Sequence, residues 1–427
     1  MDRSDLDRLS REELIELVLR LQRPDKTSRT SSKPPSTDRK ERRERAKPGG
    51  AKPGHAGHGR ELSEEFDRIV EHVPDVCAGC GLAFSGEDAS EVISEHDKID
   101  VVPVKPFVER HRRHELRCRG CGAVVAAPMP EALKGTPFGP NLHALATYFK
   151  TFQALSYERL QALFADLFGL RVSQGGLMNL LRRAQGSFVA GREAALACLR
   201  QAPIVASDET GVRIEGCNSF HWVFRCTAAV VHQAATTRAA SVATTAMAGH
   251  RPKVWLSDRY SAQQGHGERH QTCLAHLARK VAYAIEVSDD PLVLRLKLWL
   301  GSAFALAAGI KDLAASTLAA RQRSLERRLA QILAATTTCA DARDIQASFR
   351  RARDQLMTFC DFKGEVDVTN NACERALRPA VIQRKVTNGY RAMWAATGEA
   401  DIRTVIDTAR LARGASTYAA IAAAVRA

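Results

Sequence analysis

A chain of 427 residues is too long for one small domain and suits two or three, and its 45% hydrophobic content supplies a large core. The 62 Lys and Arg against 48 Asp and Glu give a formal net charge of +14. That excess points to a polyanionic partner, but charge alone separates neither DNA from RNA or anionic lipid, nor any of these from a merely soluble basic protein.

Residues 10–22 are predicted as a short amphipathic helix. Ser10 and Glu13 have the S-x-x-E spacing of a capping box, and Leu14, Leu17, Val18 and Leu21 line one face. Fewer than two heptads favour a docking helix over a coiled coil. Residues 23–60 form a Pro- and Gly-broken linker. Between Lys26 and Arg60, eleven Lys or Arg face three acids. Such a composition buries too little apolar surface to fold alone, and suits an arm along a phosphate backbone or a solvated tether. Residues 66–128 carry paired cysteines, with strands expected over 99–104 and 107–116. From 140 the pattern turns helical. Gly169 ends one helix and Ser173 caps the next, the spacing of a helix-turn-helix that would bring Arg182 and Arg183 to DNA. A plain packing pair is the alternative.

Strands are expected over 204–208, 211–215, 220–226, 229–234 and 253–257, with a helix over 238–248. Residues 270–360 read as helical, with Asp290-Pro291 as an N-cap followed by Pro at the first helical position. The most apolar stretch, 292–310, contains Arg295 and Lys297 and reads as a core helix, so no membrane span is expected. A last helical region from 370 is interrupted near Gly389 and Gly414.

Eleven cysteines, an odd number, and an acidic, polar N-terminus without an apolar signal core argue against a secreted disulfide framework and for a reducing cytoplasm. Cys77-x-x-Cys80-Gly81 and Cys118-x-x-Cys121-Gly122 are two knuckles of one type. Two thiolates two residues apart grip one tetrahedral ion, so the pairs together specify one structural Zn2+ with no open position. A lone C-x-x-C would equally suit redox chemistry. Arg112 and Arg113, near the second pair, would give a ribbon a phosphate-binding face, or a solvated strand.

Asp208 and Asp258 each end an apolar run, and Glu374 lies on a later helix that Asn370 or Thr369 would cap and Pro379 would kink or end. Carboxylates on rigid strand ends suit a pair of hard divalent ions, Mg2+ or Mn2+, for phosphodiester chemistry. The two aspartates fit a ribonuclease-H-like sheet in which their strands lie side by side. Glu209 would point to the opposite face as a spare charge. Glu365 and Asp367 are rival third carboxylates in a Gly-containing loop. Arg375, Arg378, Arg384 and Lys385 give the Glu374 helix a cationic face for DNA. A lone strand-terminal Asp is most often a turn residue, so the residues alone leave the triad suggestive.

These blocks, taken in order, resemble the transposases of the insertion sequence 66 family. Ser207-Asp208-Glu209-Thr210-Gly211, Trp255-Leu256-Ser257-Asp258-Arg259-Tyr260-Ser261, Cys273-x-x-His276 and Asn370–Pro379 carry the resemblance, together with the linker and the cysteine pairs. It implies an α+β multidomain protein: a ribonuclease-H-like α/β core with a large helical insertion, plus a small N-terminal zinc-binding domain. The expected divisions are 1–24, a short helix; 25–65, a basic linker; 66–130, the zinc domain; and 138–200, a helical DNA-binding region. The core follows over 201–280, the insertion over 281–365, and the completion of the core over 366–427. By the resemblance, Asp208, Asp258 and Glu374 are catalytic in strand cleavage at element ends and strand transfer into target DNA. Cys273 and His276 have the look of metal ligands, but with no second pair nearby they read instead as structural beside that site. The implied partners are double-stranded DNA, further copies of the chain on DNA, and small accessory proteins. The implied location is a bacterial cytoplasm, at the nucleoid. A nuclease that never joins strands, and a non-catalytic DNA-binding derivative, are the alternatives.

Overall fold

The computed structural model describes residues 9–21, 23–31, 54–57, 60–86, 88, 90–101, 104–130 and 134–426. The chain forms two compact units: 40–106, and 1–39 together with 107–427. In the smaller unit, Val76 pairs with Ala83, and Asp97 accepts from the Ser63 amide at 2.6 Å. Its described residues are exposed apart from Ser63 and Cys77, so those described residues form no apolar core. Of the strand expected over 99–104, the described residues 99–101 and 104 are not in a strand, and of that expected over 107–116 only 115 and 116 are. Ile99, Val101, Val104, Phe107 and Val108 are all exposed, and β propensity acts only where a face is packed.

The larger unit begins with helix α1 (Arg11–Leu21). The expected capping box is present: Ser10 N–H donates to Glu13 at 2.7 Å, and Glu13 N–H to Ser10 Oγ at 3.2 Å. A hairpin of β1 (Glu115–Arg117) and β2 (Val124–Ala126) follows. Four helices come next: α2 (Pro140–Thr147), α3 (Tyr157–Phe168), α4 (Gln174–Gln185) and α5 (Val189–Leu199). Gly169, at φ 64°, ends α3, and Ser173 Oγ caps α4, as expected. Leu160, Phe164, Leu177, Leu180 and Leu181 bury the contact between this pair.

The central sheet holds β3 (Ile204–Ile214), β4 (Cys217–Arg225), β5 (Val230–Ala235), β6 (Val254–Ser257) and β7 (Arg269–Thr272), with α6 (Ala240–Met247) after β5. Its order is β5-β4-β3-β6-β7. β3, β4 and β5 form an antiparallel meander, and β6 and β7 add in parallel. β3 is one strand where two were expected, because Ala206 to Ile214 pair residue by residue with β4. β7 is polar and was not expected. Pairing with the buried β6 makes it a strand.

The two-residue period of the sheet sorts its side chains. Val205, Trp222, Phe224 and Trp255 meet α5 and α6 on one face. Ala206, Val223 and Leu256 meet Cys373 and Leu377 on the other. Five helices lie between the sheet strands and the last part of the chain: α7 (Leu274–Val287), α8 (Pro291–Ala308), α9 (Ala315–Ala334), α10 (Ala340–Ala352) and α11 (Thr358–Asp361). α8 is long and apolar enough to cross a membrane. Its Leu292, Val293, Leu296, Trp299 and Ala303 are nevertheless buried in the helical core, as expected of a core helix.

Three helices close the chain: α12 (Asn371–Thr387), α13 (Met393–Ala409) and α14 (Thr417–Arg426). Pro379 neither ends nor visibly divides α12. Leu377, Ala380 and Gln383 are buried on both sides of it, and that packing outweighs the local cost of proline. α13 is tied to the sheet by buried polar contacts. His232 bridges His221 at 2.9 Å and, across to α13, Asp407 at 3.0 Å; within α13 Arg403 pairs with Glu399 at 2.6 Å.

Candidate active site and cysteine pairs

β3 and β6 run parallel and adjacent, with Ala206 opposite Leu256, so Asp208 and Asp258 emerge from neighbouring strands two residues further on. They share the parity of Ala206 and Leu256 and therefore the face that α12 covers. α12 brings Glu374 to the same place. The sequence expectation of side-by-side strands is met.

The start of α12 is fastened rather than capped. Asn370 is fully buried and makes no side-chain cap bond. Its Nδ2 donates to the Ser207 carbonyl at 2.8 Å, and its backbone N–H to Cys273 Sγ at 3.1 Å. Cys273 N–H donates to the Ser257 carbonyl at 2.8 Å, and Leu274 N–H to the Val368 carbonyl at 2.9 Å. Asn370 thus joins the strand that carries Asp208 to the helix that carries Glu374, which corrects its expected role as a cap. Sequence reading missed this because a side chain bonded to a residue far along the chain leaves no local pattern.

The Asp208 carboxyl is pushed well above the usual carboxylate range, first by burial and then by the charges of Glu209, Asp258 and Glu374. It keeps partial solvent access, so an ion can reach it. Its Oδ1 accepts from Glu209 N–H at 2.9 Å, and Asp258 Oδ1 from Tyr260 N–H at 2.8 Å. Glu374 accepts from Arg279 at 3.3 Å through both carboxylate oxygens. Arg279 was not singled out in the sequence. Carboxylates whose charges act on Asp208 in this way, with one guanidinium on one of them, fit divalent cations. Glu365 and Asp367 are exposed and do not figure among the charges acting on Asp208.

Glu209 does face away, but it is no spare charge. Its buried carboxylate accepts from Arg238 Nε at 2.6 Å and from Gln263 Nε2 at 2.5 Å. Arg238 also stacks 3.7 Å from the Tyr260 ring centroid.

Beside Glu374 lie Cys273 and His276. The donor atoms of all three fall within 4.8 Å of one another. Burial pushes the Cys273 thiol up and, ahead of the Arg279 charge, pushes His276 down.

The expected DNA-facing residues separate into two groups. Arg375, Arg378, Lys385, Arg182, Arg183, Arg112 and Arg113 are exposed. Of these, Arg182 stacks 5.0 Å from the Trp394 ring centroid, and Arg113 donates to the Ala127 carbonyl at 2.7 Å. Arg384 is turned inward instead, donating to Thr210 Oγ1 at 2.9 Å and to the Gly211 carbonyl.

The two cysteine pairs fall in different compact units, and each is the same local turn. Cys77 N–H donates to the Leu82 carbonyl and Gly81 N–H to the Cys77 carbonyl, both at 2.8 Å. Cys118 repeats this with Ala123 at 2.8 Å and Gly122 at 2.9 Å. Gly81 and Gly122 both take φ 75°, which residues with a Cβ rarely adopt. Backbone N–H groups aimed at sulfur hold the Cys77 and Cys118 thiols below their ordinary range, those of Gly79 and Cys80 in the first pair and those of Cys121 and Gly120 in the second. Sulfurs whose deprotonation the backbone eases in this way fit a zinc ion.

The family description "Transposase IS66 family" matches residues 135–398, more than half of the chain. The chain belongs to this transposase family. A second description, "zinc-finger binding domain of transposase IS66", matches residues 74–122 and so spans both cysteine pairs. No curated protein matches the chain. The IS66 match covers Asp208, Asp258 and Glu374, and the zinc-finger match supports zinc as the ion of the cysteine pairs.

Proposed function

We infer that this IS66-family chain is a DNA transposase enzyme that cleaves strands at element ends and joins them to target DNA, using Asp208, Asp258 and Glu374. The observation that carries the reading is the convergence of these three carboxylates from β3, the end of β6 and α12. The sheet order, with two parallel strands added to a three-stranded meander, supports the ribonuclease-H-like description of the core. Helices α7 to α11 correspond to the helical insertion.

Two Mg2+ or Mn2+ ions held by these residues would activate an attacking hydroxyl and neutralise charge on the phosphoryl group in flight. The chain's own residues do the positioning. Asp208 on β3 and Asp258 just past the end of β6 follow directly on the parallel pairing of these two strands. Asn370 holds the α12 start against β3, and Arg279 orients the Glu374 carboxylate. Transfer of this kind needs positioning and charge stabilisation and no covalent protein nucleophile. Arg375, Arg378 and Lys385 on α12, with Arg112, Arg113, Arg182 and Arg183 elsewhere, would contact phosphates. Arg384 instead braces α12 against β3. Cys77, Cys80, Cys118 and Cys121 would together hold one structural Zn2+. Two element ends must meet, so assembly of copies on the terminal inverted repeats is part of the proposal, with small accessory proteins as further partners and the bacterial cytoplasm as the setting.

The test is cleavage and joining on end-sequence DNA by Asp208→Asn, Asp258→Asn and Glu374→Gln. Each should lose both reactions by ~10²-fold or more while still binding DNA. Full activity in any one of them removes that residue from the site. Cleavage without joining in the unaltered protein selects the nuclease reading.

A further inference from the structure

We propose that Cys273, His276 and Glu374 form a second cation site, selective for a thiophilic ion of the zinc class, which shares Glu374 with the carboxylate pair. The donors are soft sulfur, imidazole nitrogen and one carboxylate oxygen, the set that zinc-class ions prefer and Mg2+ does not. Their ligand atoms already lie within 4.8 Å of one another, and tetrahedral zinc spaces such donors roughly 3.5 Å apart. Side-chain rotation closes that gap without backbone movement.

Each donor is presented for the role. Cys273 sits at the N-cap of α7, and its sulfur already accepts from the Asn370 backbone N–H at 3.1 Å, which fixes where it points. His276 Nδ1 is buried with no hydrogen-bond partner among the described residues, so that nitrogen is open to a ligand; an ion takes it or Nε2, not both. His276 Nε2 lies 3.9 Å from Glu374 Oε1. The Arg279 bonds to Glu374 are long, at 3.3 Å, and leave a lone pair on each oxygen. Binding exchanges the Cys273 proton for the ion, with the proton released to solvent and no change of oxidation state. An ion here takes an oxygen of Glu374 and competes with the Asp208–Asp258 side of the site. That consequence rests on the function proposed above, whereas the binding does not.

Co2+ added without DNA to the full-length protein carrying only one equivalent of zinc, enough to fill the four-cysteine site and leave the Cys273–His276–Glu374 site open, tests the proposal. Zinc outcompetes cobalt for the other cysteine pairs, so those stay filled. The unaltered protein should take up one Co2+ with a thiolate-to-cobalt charge-transfer band. Cys273→Ser keeps a good N-cap and hence the helix, but should lose the band and bind Co2+ at least about tenfold more weakly. His276→Ala should weaken binding similarly, while Asp208→Asn keeps the band. Absence of the band in the unaltered protein, its persistence in Cys273→Ser, or its loss in Asp208→Asn would each overturn the proposal. Catalytic inactivity with the band intact would count against the proposed function alone.

Discussion

Replacing His270 by Gln should flatten the acid dependence of stability. His270 lies on β7, is 9% exposed, and contacts Ser257 Oγ at 3.3 Å through Nε2. Its Nδ1 is buried with no partner among the described residues. Burial pushes its pKa down to about 4 from 6.5, with His266 adding to the effect and the Asp258 backbone opposing it. A folded value below the unfolded one means that the unfolded chain takes up the proton first. The stability held by neutral His270 is complete above 6.5 and drains as pH falls from 6.5 to about 4. At about 1.4 kcal/mol per pH unit, the full loss is about 3 kcal/mol. His143 and His221 are also depressed by burial, and their contribution remains in both proteins. Urea unfolding between about pH 7 and about pH 4.5 should therefore give a variant whose stability falls less steeply, by up to about 1.4 kcal/mol per pH unit. Equal slopes in the two proteins would refute the reasoning, because they would mean that folded His270 titrates as it does in the unfolded chain.

Three other outcomes follow from the structure. The raised Asp208 pKa marks a charge that the metal-free fold opposes: its stabilisation is complete below the unfolded value and is lost as pH rises through the folded one. Asp208→Asn should thus raise the thermal midpoint of chelated protein at neutral pH and abolish the gain from Mg2+, which reaches about 2.7 kcal/mol at 100 times Kd in a competent site. A lower midpoint in chelator would show that Asp208 carries a structural bond instead. Gly389→Ala should cost at least about 1–3 kcal/mol in chemical unfolding. Its φ is 101°, and a Cβ there would stand 2.2 Å from the Arg213 carbonyl oxygen, which also accepts from Tyr390 N–H. Gly414→Ala, at φ 76° in open space, is the control and should cost less. Elemental analysis should find about one zinc per chain held by the cysteine pairs, lost in a Cys118→Ser/Cys121→Ser variant. Zinc retained at that level would point to other ligands.

Local chemistry was legible where it acts over a few residues. The Ser10–Glu13 box, the Ser173 cap, the Gly169 stop and the Asp290-Pro291 helix start are all present, because each is a bond or a dihedral preference within one turn. The apolar runs before Asp208 and Asp258 likewise announced buried strands. What failed was judged on local preference alone. Pro379 was expected to kink or end α12 and does not end it; Asn370 was expected to cap it, Glu209 to be idle, and polar 269–272 not to form a strand.

The sequence by itself determined the acids, their strand-end setting, the cysteine knuckles and the membership that their order implies. Only the tertiary structure shows that the Glu374 charge, already implied by the resemblance, acts on Asp208 where those of Glu365 and Asp367 do not figure, and that Cys273, His276 and Arg279 crowd the same carboxylate. The reason is physical. A cap or a turn is specified by neighbours in the chain, whereas convergence of residues 208, 258 and 374 depends on strand parity, on a parallel register and on α12 being held to β3 through Asn370. Those constraints are energies between distant segments, and they exist only once the sheet has formed.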